Sequence, residues 1–222
     1  MADGPKSVVA LARFAMLATV FVVLVWYVVF VVVQPELNPL YRYTSEYSLG
    51  RMGWLMKLAF FVWSAGMLAL ALAIANGLDA AARSRTAIIL FTVAGAAVSL
   101  PGVFDADLQV INPDPPPLWI VPDPPSTEQG IHAMAGLVGL LCLLAGAGFA
   151  ARRLRLAGRL RSKYYILRPL SWLSLVAFFP VMFFLASQGL AGLGQRIVYA
   201  FVFAWLIIAA RGLATGAFSQ TS

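Results

Sequence analysis

The chain alternates six long apolar runs with shorter polar connections. The runs cover residues 8–34, 53–77, 86–104, 130–151, 169–188 and 193–211. Each is close to the ~20 residues that an α-helix needs to cross the hydrocarbon core of a bilayer. In lipid, every backbone amide must find its partner within its own segment, so the pattern predicts six helices and no open sheet. The expected fold is an all-α polytopic membrane bundle of six transmembrane helices, forming a single integral membrane domain over residues 1–222. With 61% hydrophobic residues and a mean hydropathy of +0.85, the composition excludes an ordinary water-soluble domain.

Charge adds an orientation. The formal net charge is +7, which in a soluble domain would point to nucleic acid. Here the distribution is more informative than the total. If six spans alternate, Lys6, Arg13, Arg83, Arg85, Arg211 and the cluster Arg152, Arg153, Arg155, Arg159, Arg161, Lys163 and Arg168 share one side. Arg42, Arg51, Lys57 and Arg196 fall on the other. Lys and Arg are retained in the cytoplasm during insertion, so both termini are predicted to be cytoplasmic. The expected location is the cell membrane, cytoplasmic or inner, of a prokaryote, and no nucleic-acid partner is expected. Lys6 and Arg13 near the first run raise the question of a cleaved signal. That run is too long for a signal core, and Val31-Val32-Val33-Gln34-Pro35 lacks the small residues of a cleavage site, so it is expected to remain as an anchor.

The connections differ in character. The external loops are expected at about 35–52 and 105–129. The first is rich in Tyr, which favours the membrane interface. The second carries Asn112-Pro113-Asp114-Pro115-Pro116-Pro117 and Pro122-Asp123-Pro124-Pro125, a composition that predicts a stiff extended cover. Ser126 and Gln129, three apart, form a capping-box pattern that starts the fourth helix and sets His132 near the outer interface. Along that helix Gly139, Cys142, Gly146 and Ala150 make a small-residue stripe that lets a neighbour approach closely. The basic cytoplasmic loop, about 152–168, is expected to attract anionic lipid at about 1 kcal/mol per charge.

Polar groups able to do chemistry converge at the external ends: Ser45, Glu46 and Ser48 before the second span, Asp105 and Asp107 after the third, His132 in the fourth and Arg196 in the sixth. Ser45, His132 and Asp105 are the candidate catalytic residues. Serine would be the nucleophile and histidine its base. Asp105, Asp107 and His132 are the candidate ligands of a divalent metal. A single histidine excludes a bis-histidine haem within this chain, so no haem is expected.

The runs Ser45-Glu46-Tyr47-Ser48-Leu49-Gly50, Gly53-Trp54-Leu55-Met56, Gly102-Val103-Phe104-Asp105-Ala106-Asp107 and Gly130-Ile131-His132 resemble the bacterial and archaeal six-span membrane family called domain of unknown function 998. The resemblance implies a six-helix topology and marks Ser45, Asp105, Asp107 and His132. It implies no reaction. Three functional readings follow, in order. The first is a non-enzymatic accessory subunit or lipid- or partner-binding bundle, with the bilayer and a further membrane protein as partners. The second is a membrane hydrolase or metal-dependent enzyme with an external site. The third is a transporter, which the scarcity of ionisable residues in the span centres disfavours.

Overall fold

The computed structural model describes residues 4–107, 124–156 and 160–216. Six helices are long and apolar enough to cross a membrane: α1 (Lys6–Val33), α2 (Gly53–Gly77), α3 (Arg85–Gly102), α4 (Thr127–Leu154), α5 (Arg161–Ser187) and α6 (Ala191–Thr215). Among the described residues there is no strand. Each helix packs on the next in sequence, and α6 returns onto α1, so the six form a closed ring. The short connections between α2 and α3, α4 and α5, and α5 and α6 favour antiparallel packing of those neighbours.

Aromatic side chains fill the centre of the ring. Trp26 of α1 packs edge-on against Phe60 and Trp63 of α2 and against Tyr199 and Phe203 of α6, with ring centroids 5.1 to 5.9 Å apart. Such pairs contribute about 0.5–1.5 kcal/mol each beyond the area they bury. A second aromatic contact, between Phe91 of α3 and Trp205 of α6, bridges the ring elsewhere. Its indole N–H donates to the Leu167 carbonyl of α5 at 3.1 Å. The outer face presents Leu17, Trp54 and Phe184, each at least 60% exposed, as lipid requires.

The small-residue stripe of α4 faces α3. A Cβ added at Gly146 would lie 3.3 Å from Leu90 Cβ, and one at Gly139 would lie 3.1 Å from Val98. Backbones therefore approach closely there, which in lipid replaces the missing hydrophobic drive between helices.

Three local features differ from the sequence reading. The fifth helix begins at Arg161, eight residues before the apolar run, and α4 extends to Leu154, so much of the basic loop is helical. Arg, Lys and Leu are good helix formers, and long cations reach the interface while their stems stay on the helix. Within the loop between α1 and α2, Thr44–Leu49 forms a 3₁₀ helix. Two spans also carry a π-helical turn, at Val25–Val29 in α1 and at Ala177–Val181 in α5. In α5 the cause is Pro180, which lacks the N–H that a regular helix would use. In α1 nothing in the composition accounts for it. The proline-rich cover lies largely outside the described residues.

Candidate functional site

The loop between α1 and α2 is tied to the start of α6 by hydrogen bonds across more than 150 residues of sequence. Thr44 donates from both N and Oγ1 to Gln195 Oε1, at 2.8 and 2.9 Å. Leu193 N donates to the Leu40 carbonyl at 2.9 Å. Arg196, 7% exposed, donates from Nη1 to the carbonyls of Pro39, Arg42 and Gly192 at 2.6, 2.8 and 3.2 Å. Its guanidinium also lies 5.6 Å from the centroid of the Tyr47 ring. Gly192 is required for this contact, since a Cβ there would come within 2.3 Å of the Arg42 carbonyl oxygen.

Within the loop, Glu46 accepts from Arg42 Nη1 at 2.9 Å and from Tyr43 N at 3.0 Å. Burial, then the Glu46 carboxylate, pushes the Tyr43 phenol well above its ordinary range, so it stays neutral. Burial likewise raises Tyr47, although the Arg196 cation opposes it. The Tyr47 hydroxyl donates to the Leu37 carbonyl at 2.6 Å.

A second clasp joins the end of α3 to the start of α4. Ser126 caps α4 by accepting from Gln129 N at 3.0 Å. The reciprocal bond of a capping box is absent. Asp107 takes its place, accepting from Ser126 N and Oγ at 2.9 and 2.7 Å, while Gln129 Oε1 accepts from Asp107 N at 2.9 Å. Asp107 is thus a structural acceptor at a helix N-terminus, where negative charge is favoured.

Asp105 is paired with Lys57 of α2 at 2.8 Å through Oδ2. Its Oδ1 is buried with no hydrogen-bond partner among the described residues. Lys57 thus serves Asp105, Arg42 serves Glu46, and Arg196 binds carbonyls of the loop and the helix start. His132, 7% exposed, packs edge-on to Phe60 and sets Nδ1 2.8 Å from the Phe104 carbonyl. A carbonyl only accepts, so Nδ1 carries the proton and Nε2 is left as the acceptor of the neutral ring. Among the described residues no group of three or more His, Cys, Asp or Glu is gathered to hold a metal ion. Asp105, Asp107 and His132 share one end of the bundle, each with a different hydrogen-bonding partner.

What the arrangement does enclose is a cavity of about 320 Å³. Thr44, Ser45, Glu46, Asp107, Gln129, His132 and Gln195 supply its polar wall. Trp26, Phe60, Leu140, Phe178, Met182 and Tyr199 supply its apolar wall. Both π turns contribute, through Trp26 and Phe178, and such turns recur at functional sites. The Trp26 indole N–H is buried with no acceptor among the described residues, an unusual cost in a native interior. Ser45 lines the same cavity, and no described residue bonds its hydroxyl. Sequence reasoning marked Ser45, Glu46, Asp107 and His132 here but missed Thr44, Gln195 and the aromatic floor. Thr44 and Gln195 look like ordinary interfacial residues until the loop is seen to fold back on α6.

No curated protein and no solved structure matches the chain. The model of the family described as "Protein of unknown function (DUF998)" matches residues 16–212, and with this match spanning most of its length the chain belongs to that family.

Proposed function

We propose that the protein binds an amphipathic, lipid-like molecule in the external cavity, polar head toward the mouth and one apolar chain against the aromatic floor. The observation that carries this reading is the lining: hydrogen-bonding groups at one end, and Trp26, Leu140, Phe178, Met182 and Tyr199 at the other. The volume of about 320 Å³ lies at the lower end of the ~300–1,000 Å³ common for small-molecule sites. It suits a compact head and the first part of one chain. Positive-inside orientation sets the mouth outside the cytoplasm. The Trp26–Trp63–Tyr199–Phe203 cluster fills the bundle axis, which favours holding a ligand over passing one through.

Gly136 gives a clean test. It lines the cavity, and a Cβ added there meets no heavy atom within 4 Å. Gly136→Phe therefore fills the cavity while sparing the helix contacts. Mass spectrometry of organic extracts from protein purified in mild detergent should find an amphiphile with the wild type. In Gly136→Phe of unchanged melting temperature its amount should fall about tenfold or more, a loss of ~1.4 kcal/mol or greater. Equal amounts in both proteins would refute the reading.

One observation favours a second reading, hydrolysis of the bound amphiphile. His132 holds Nδ1–H on a carbonyl, leaving Nε2 available as a base, and Ser45 shares its cavity. If so, His132→Ala and Ser45→Ala would each retain the amphiphile yet abolish release of its product. Release undiminished in both variants would dismiss this reading.

A further inference from the structure

Opposite the external cavity along the same α4–α5 seam, a groove of about 460 Å³ opens on the face that carries the basic connection. Its chemistry is graded along both helices. From the end of α4 inward the lining runs from Arg155, just past the helix, and Arg152 to Gly148 and Phe149 and then to Leu144. On α5 it runs from Tyr164 and Arg168 to Trp172 and Leu175. Positive charge stands at the rim, and apolar surface lies deeper in the bilayer.

Among the described residues no acid neutralises the rim charge. No Asp or Glu lines the groove, and none of the ion pairs among the described residues involves Arg152, Arg155 or Arg168. Arg168 lies 5.5 Å over the Tyr164 ring and donates to the Tyr164 hydroxyl, which fixes its position and leaves that hydroxyl's own proton to donate. Three guanidiniums and a phenol around one opening form a phosphate-recognising set. Below them Trp172, 61% exposed, and Phe149, 45% exposed, flank a floor where Gly148 leaves open space. Free phosphate would use the rim alone. The apolar floor continuous with it requires a chain.

We infer that this groove is a binding site for one anionic phospholipid of the cytoplasmic leaflet, its phosphate held by Arg152, Arg155 and Arg168 and an acyl chain laid over Gly148 between Phe149 and Trp172. This differs from diffuse attraction of basic residues to a charged surface, because position within the groove matters and charge elsewhere on the same face does not. It is also independent of the ligand proposed for the external cavity.

The test is native mass spectrometry of the full chain from nanodiscs containing equal phosphatidylglycerol and phosphatidylcholine with identical chains. The wild type should retain one phosphatidylglycerol in preference to phosphatidylcholine. Replacing Arg152, Arg155 and Arg168 by Gln should weaken retention roughly fivefold for each arginine removed. Arg85→Gln, on the same face but outside the groove, should leave it unchanged. Gly148→Leu, whose Cβ meets nothing within 4 Å, should block the chain seat and release the lipid with the arginines intact. Equal retention of both lipids would overturn the inference. So would a loss from Arg85→Gln equal to that from each groove arginine, or Gly148→Leu retaining the lipid at full occupancy. If the arginine variants fail to fold, the Gly148→Leu and lipid-selectivity results still decide it.

Discussion

Arg196 and Asp107 show how single polar residues organise one end of the bundle. Arg196 satisfies three carbonyls of the loop and helix start from one nitrogen. Replacing it by Met keeps most of the bulk but strands those acceptors, each costing about 1–3 kcal/mol when left buried and unpaired. The expected loss is on the order of 3 kcal/mol, read as a lower midpoint of thermal unfolding in detergent. An unchanged midpoint would mean that the clamp is not what holds the loop. Asp107→Ala removes both acceptors of Ser126 and should cost about 1–2 kcal/mol, as loss of a helix cap does. Alternation of the spans places Asp105, Asp107 and His132 at the same end of the bundle as an expectation from sequence. It did not show where their side chains point. Lys57 and Ser126 are ordinary residues in sequence, and only the packing of α2, α3 and α4 turns them into the partners that claim the two aspartates.

At the scale of the helices, lipid makes the reading easy and its edges hard. A spanning helix must be apolar for about 20 residues, so the six runs were legible without any motif. The start of α5 was not, because Arg161–Arg168 are charged and aromatic yet helical. The π turn in α1 had no sequence signal either. The stripe on α4 was legible as spacing, and the structure supplies its partner, α3. Gly146→Leu should therefore destabilise the bundle by about 1–3 kcal/mol through overpacking against Leu90 and Phe91. Gly148→Leu, two residues on and facing open space, should leave the melting temperature unchanged. Equal effects of the two substitutions would show that α4 packs on α3 in a different register.

For the whole molecule, a closed ring of six helices with an aromatic centre leaves two cavities that reach both α4 and α5, one toward each face. The charge bias predicts that a reporter fused within 155–160 reads as cytoplasmic and one fused within 35–43 as external. An external reading at 155–160 would invert the assignment. The central claim is that the external cavity seats an amphiphile, and photocrosslinking with a diazirine-labelled single-chain amphiphile tests it most directly. Adducts are expected on peptides containing Leu140, Phe178 or Met182 and should disappear in Gly136→Phe. Adducts spread over lipid-facing residues such as Leu17 and Phe184, and insensitive to Gly136→Phe, would contradict it.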